Sequence, residues 1–224
     1  MFQHQLIAID PPLSLSKSQT IMPLTRKHDI SIRLATPRDI PFLPDIENSA
    51  SALFDSIPAL SFIASDPPLT IEELQDFLSS NHLWVAAYDD PDSGESVPVG
   101  FVAAKYIQTS SDAYGSEAGS KHLYIAECSV YSSYQRNGIA SRLMKFIEGY
   151  ARGEKCDGMT LITFLDVPWN GGFYQKLGFS EVGAEHLGES YTAMLKEEEE
   201  KWAGEWTDSD PWRRGVMLMK LESP

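Results

Sequence analysis

A regular pattern of apolar and polar positions first appears at Ile30-Ser31-Ile32-Arg33-Leu34, which alternates as a half-buried strand does. Thr36-Pro37-Arg38-Asp39 then reads as a helix start, with Thr36 as N-cap, Pro37 at the first helical position and Asp39 as the acidic third residue. That helix is expected to reach about Ala52, across the interruptions of Pro41 and Pro44. Residues 54–68, rich in proline and aromatic side chains, read as a loop. Thr70-Ile71-Glu72-Glu73 has the spacing of a capping box and opens a second helix to about Ser79. Residues 83–88 and 99–107 are strand-like, and the turn cluster between them makes a hairpin with a long loop. After a small, polar loop at 110–120 come a strand at 123–130, a helix at 141–152 and a strand at 159–167. A helix at 170–177, stopped by Gly178, and a strand at 179–183 follow. Residues 187–202 form an acidic helix in which Glu197 to Glu200 read as a solvated face, and 216–221 is a closing strand. This order predicts an α+β sheet, antiparallel in its first half, with a parallel pair where the helix after residue 140 crosses back. Residues 1–28, broken by Asp10-Pro11-Pro12 and a polar run, are expected to be a poorly ordered N-terminal extension to a domain spanning 29–224.

Composition narrows the function. The chain has 224 residues, enough for one elaborated domain with a sizeable core. A net charge of −14 argues against nucleic acid as a partner, because phosphate binding needs a basic surface. It suits cationic substrates such as amines, or simply solubility. No apolar run approaches the roughly 18–20 residues that span a bilayer, so no membrane partner is expected. There is no basic flank followed by an apolar stretch at the N-terminus, so no secretory signal is expected. Cys128 and Cys156 are the only cysteines, with no disulfide framework and no metal-ligand spacing. A reducing, cytoplasmic location without a metal cofactor is the default expectation.

The chemistry centres on Gln135-Arg136-Asn137-Gly138-Ile139-Ala140, between a strand and a helix. There a turn presents unpaired backbone N–H groups at a positive helix end, a place for pyrophosphate. A Walker loop would need Gly-Lys-Ser/Thr, and a dinucleotide fingerprint three glycines; neither is present. Gln-x-x-Gly-x-Ala resembles the acetyl-CoA pyrophosphate loop of the GCN5-related N-acetyltransferase superfamily. A second segment, Asn170-Gly171-Gly172-Phe173-Tyr174-Gln175-Lys176-Leu177-Gly178-Phe179, resembles that superfamily's downstream motif, in which Asn precedes a Phe-Tyr-x-x-x-Gly-Phe helix. Asp166-Val167-Pro168-Trp169-Asn170 is similar to a subgroup with Val-Pro-Trp-Asn at this strand end, and Arg213 or Arg214 ahead of the last strand also fits. The resemblance covers roughly residues 30–221 and is strongest over 123–179. Ala140 stands where the loop more often has glycine, and Gly171-Gly172 loosens the start of the Tyr174 helix.

The resemblance implies a mixed six- to seven-stranded sheet flanked by helices, with a splayed parallel pair at the acetyl-CoA site. It implies an acyltransferase that passes the acetyl group directly to a primary amine in a ternary complex. Backbone groups of Cys128, Ser129 and Val130 would pair with the amide-bearing arm of acetyl-CoA. The loop Gln135, Arg136, Asn137, Gly138, Ile139, Ala140 and Ser141 would hold the pyrophosphate. Asn170, Phe173 and Tyr174 would pack beside the thioester, with Arg142 or Lys145 reaching the ribose phosphate. Tyr174 would protonate the leaving thiolate, since a phenol is protonated at neutral pH. The base is Glu127, set in an otherwise apolar strand, or Asp166 at a strand end, or a chain of waters. Cys128 reads as a packing residue and His122 as a surface one. Phe54, Asp55, Phe62 and Trp169 are candidates for the acceptor pocket, where aromatic walls and an acid suit a protonated amine. A small-molecule amine is the preferred acceptor. A protein N-terminus or lysine is the alternative, as is a non-catalytic CoA-binding module. Oligomeric state, homodimer included, is left open.

Overall fold

The computed structural model describes residues 30–90, 93–109, 119–202 and 212–221; the expected extension and most of the 110–120 loop lie outside the described residues. Seven strands form one sheet: β1 (Ile30–Leu34), β2 (Leu83–Asp89), β3 (Ser96–Gln108), β4 (Lys121–Val130), β5 (Gly158–Phe164), β6 (Ser180–Val182) and β7 (Arg214–Lys220). Their spatial order is β1-β2-β3-β4-β5-β7-β6. All neighbours pair antiparallel except β4 and β5, as the α+β reading expected. The last strand does not close an edge; it inserts between β5 and β6.

The helices are α1 (Leu43–Ser51), α2 (Ile71–Ser79), α3 (Ile139–Gly153), α4 (Gly171–Lys176) and α5 (Glu189–Lys201). The Thr70–Glu73 capping box opens α2 as expected. Thr36, however, caps nothing. Its N–H and hydroxyl both donate to the Asp39 carboxylate, which also pairs with Arg33 at 2.8 Å. The chain makes a turn, then a 3-10 segment (Ile40–Phe42), then α1. Pro41 and Pro44 explain this: lacking N–H, each is accommodated only in the first turn of its own segment. Residues 54–68, expected to be a loop, are mostly two 3-10 segments (Ala52–Ser56 and Pro58–Ser65) that bury Leu60 and Ile63.

Helix α3 covers one face of the sheet through Ile139, Leu143, Met144 and Ile147, packed on Leu123, Ile125 and Val130. Helices α1 and α2 cover the other face at β2 and β3, through Leu43, Ile46 and Leu74. Helix α5 covers that face at β4 and β7, through Tyr191. His122, expected at the surface, is 2% exposed, and its Nδ1 lies 3.2 Å from the Tyr191 hydroxyl. Its position on β4 shares a face with Tyr124, directly beneath α5.

Candidate active site

Strands β4 and β5 pair only at His122–Gly158, Leu123–Met159 and Tyr124–Thr160, and then part. Strand β7 pairs with β5 along its whole length and draws it away. The opened edge of β4 becomes one wall of a cavity of about 860 Å³. One end is lined by Cys128, Ser129, Val130, Gln135, Arg136, Gly138, Ile139, Ala140, Ser141, Asn170, Phe173 and Tyr174. Thus of the residues the resemblance gave to acetyl-CoA through the strand, the turn and the downstream motif, all but Asn137 line one chamber.

One glycine sets the geometry of the turn. Gly138, the N-cap of α3, has φ +76°, in the left-handed region that glycine enters without strain. A Cβ there would meet no protein atom within 4 Å, so the space above it is free for a ligand. Gln135 ties the turn to the strand end by donating from Nε2 to the Val130 carbonyl at 3.0 Å. Asn137 instead braces the turn, donating to the carbonyls of Tyr134 and Gln135. Arg142 donates to the Ile30 carbonyl at 2.7 Å, and neither it nor Lys145 lines the cavity. Gly171, expected to loosen α4, does the reverse. A Cβ there would collide with the Leu165 carbonyl oxygen, so the glycine permits a tight approach.

Glu127 reaches the cavity because of a β-bulge. Ala103 pairs with Glu127 and Ala104 with Ile125, which leaves Ala126 as the extra residue. Strict alternation would put Glu127 on the face of Leu123 and Ile125, under α3. The bulge turns it to the face of Phe101 and Ala103, where α1 packs, and gives Cys128 and Val130 the α3 side. Glu127 Oε1 accepts from the Cys128 N–H at 3.0 Å and the Ser129 hydroxyl at 2.7 Å. Burial still pushes its pKa up. The Tyr131 N–H donates to Val99 on β3. By alternation, the Val130 N–H points the other way, into the splay.

Tyr174 also lines the cavity, its ring edge-on to Phe173 and Phe179 at 5.0 and 5.7 Å. Burial, with Cys128 and Glu127 beside it, raises its phenol well above the ordinary value. Burial and Glu127 push the Cys128 thiol up to about 12, so it remains a protonated packing group. Asp166 stands elsewhere: exposed, outside the cavity lining, it accepts from the Arg213 N–H and Nε, both at 3.1 Å. Of the acceptor-pocket candidates, Phe54 and Trp169 line the cavity, 5.8 Å apart and edge-on. Phe62 packs behind them against Trp202, and Asp55 is exposed.

Among the lining residues that sequence reasoning passes over are Glu47, Glu198 and Trp202. Glu47 on α1 accepts from the Leu69 N–H at 3.1 Å; burial and the Glu127 charge raise its pKa to about 8. Glu198, in the run read as solvated, turns inward and pairs with Arg214. The Arg214 guanidinium lies 4.7 Å from both the Phe164 and Trp202 rings. Trp202 lines the cavity as well. Residues 191, 194, 195, 198 and 202 recur at helical spacing, which is the available signal for Glu198 and Trp202.

Among the described residues no group of three or more His, Cys, Asp or Glu could hold a metal, and no helix is long and apolar enough to cross a membrane. Several solved structures share the fold. The Arabidopsis thaliana NAA60 structure, in complex with a bisubstrate analogue, matches with TM-score 0.56 at 18% identity, over 87% of this chain and 99% of that one. PaiA N-acetyltransferase from Thermoplasma acidophilum, in complex with coenzyme A, matches with TM-score 0.54 at 16% identity, over 86% and 99%. N-acetylglutamate synthase from Neisseria gonorrhoeae, complexed with coenzyme A and N-acetyl-glutamate, matches with TM-score 0.55 at 17% identity, over 88% of this chain and 36% of that one. Residues 51–179 match the model of the Acetyltransferase (GNAT) family, and with the glycine turn and the splayed strands set at one cavity, the chain belongs to that family of acetyl-CoA-dependent acyltransferases.

Proposed function

We propose that this acetyltransferase moves the acetyl group directly to the primary amine of a small molecule, with Glu127 as base and Tyr174 as acid. The observation that carries the reading is that the Gly138 turn, the Glu127 carboxylate and the Tyr174 phenol line a single cavity. The turn's N–H groups and the Arg136 side chain hold the pyrophosphate. Glu127 takes a proton from the acceptor ammonium; its raised pKa brings it closer to that task than an ordinary carboxylate. The Val130 N–H faces the oxygen on which charge develops. Tyr174 keeps its proton and gives it to the departing sulfur. A small acceptor is favoured because the 52–65 segments and α5 wall the chamber with Phe54, Ile63, Glu198 and Trp202. The Pro168-Trp169-Asn170 stretch in that wall also favours the Val-Pro-Trp-Asn subgroup.

Tyr174→Phe should lower kcat about tenfold or more while the acetyl-CoA Kd, measured by calorimetry, stays within about threefold. Thiol release from acetyl-CoA with a panel of amines reads the turnover. Unchanged turnover would remove Tyr174 from the mechanism.

A further inference from the structure

One polar group in the cavity wall has no use in the chemistry above. Among the described residues, the Trp169 indole N–H is shut off from the surface and has no hydrogen-bond partner. An indole N–H only donates, and leaving such a donor unpaired costs free energy. Trp169 immediately precedes Asn170, whose carbonyl accepts from the Tyr174 N–H, and both Trp169 and Tyr174 line the cavity. The ring packs on the cluster of Leu60, Ile63, Phe164 and Val167 and stands edge-on to Phe54 at 5.8 Å, yet it is only half-buried, so a small shift brings the N–H to a ligand oxygen.

The charges around it decide what kind of oxygen. Glu47, Glu127 and Glu198 line the same cavity. Of the cations that line the cavity, Arg214 is matched by Glu198 and Lys201 by Asp66 at 2.6 Å, while Arg136 stands in the Gly138 turn and Lys176 is exposed on α4. Beside Trp169 an acceptor carboxylate would therefore meet the acids without an unmatched buried cation to neutralise it. An amide or ester carbonyl brings the same acceptor lone pairs without charge. Resting on the transferase reading, we infer that the acceptor is an amine carrying an uncharged carbonyl close to its nitrogen, as in an α-amino amide, and that Trp169 Nε1 donates to that carbonyl. The aromatic walls of Phe54 and Trp169 suit a flat or apolar substituent beside it.

Three matched amines separate the possibilities: phenethylamine, phenylalanine and phenylalaninamide. With acetyl-CoA at saturation, kcat/KM for the amide should exceed that of both others by at least about tenfold. Trp169→Phe, which keeps an aromatic ring and removes the N–H, should bring the amide-to-phenethylamine ratio close to one. A purely structural role would lower all three rates together and leave the ratio alone. Calorimetry on the CoA-loaded protein gives the second readout. Tighter binding of the amide without turnover of any amine would sink the transferase reading and leave the subsite standing. Equal turnover of the three, preference for the acid, or an unchanged ratio in Trp169→Phe would overturn the subsite and leave the transferase reading. Neither binding nor turnover of any of the three would overturn both.

Discussion

The two ends of the cavity are built in different ways. The donor end comes from two short, continuous stretches, 128–141 and 170–174, in which a turn, a helix N-terminus and one glycine set the geometry. Its groups are mostly backbone, so it depends on chain conformation more than on side-chain identity. The acceptor end collects single side chains from distant elements: Glu47 from α1, Phe54 and Asp66 from the 3-10 region, Glu127 from the bulge, Glu198 from α5, Trp202 from the C-cap of that helix, Arg214 from β7. It carries the acidic side chains and the raised carboxylate pKa values. On the proposed function, the contrast corresponds to separate tasks: a backbone cradle for a constant donor, and a side-chain chamber for a selected acceptor.

Substitutions that touch one end and spare the other can break this comparison. The largest effect is expected from Gly138→Asp. It forces a side chain into a φ of +76° and points a carboxylate at the space above the turn. Acetyl-CoA affinity should fall roughly 100-fold or more by calorimetry, from strain and like-charge repulsion together. Gly138→Ala, without the charge, should fall much less. Equal losses would mean that strain alone acts and that no anion sits there.

A smaller effect is expected at Glu47, and it falls on stability. Its folded pKa of about 8 stands above the ordinary value of 4.5. The folded chain therefore holds a proton that the unfolded chain has already lost, and stability declines as pH rises between those values. A glutamine at this position cannot ionise, and its carbonyl oxygen still accepts from the Leu69 N–H. Glu47→Gln should raise the melting temperature by about 3 °C or more at pH 8.5 and change it little at pH 4. A gain of equal size at both pH values would place the effect in packing and not in the charge. The same variant should keep its turnover, because a glutamine stands in for the protonated Glu47 and leaves the Glu127 carboxylate in place.

Legibility follows the same division. Helix α2 is readable because Thr70 and Glu73 act within one turn. The Gly138 turn and the Asn170–Phe179 segment are readable because their residues are contiguous. Helix α1 is legible only in part, since two prolines move its start to Leu43. Glu127 stands out as a costly acid in an apolar strand. Its route to the cavity depends on the bulge at Ala126, which no local propensity announces. Glu47 and Glu198 look like ordinary charges on helix surfaces until α1 and α5 are docked on the sheet. Asp166 suggests a base by its place at a strand end, but Arg213 claims it. His122 looks exposed only while α5 is absent from the picture.

The central claim is that donor binding and amine activation reside at opposite ends of one chamber. Glu127→Gln tests it most directly, with the acetyl-CoA Kd by calorimetry and kcat/KM for an accepted amine measured on the same preparation. The account predicts a Kd within about threefold of the parent and a fall in kcat/KM of about 100-fold or more. Intact turnover, or a loss of acetyl-CoA affinity as large as the loss of turnover, would contradict it.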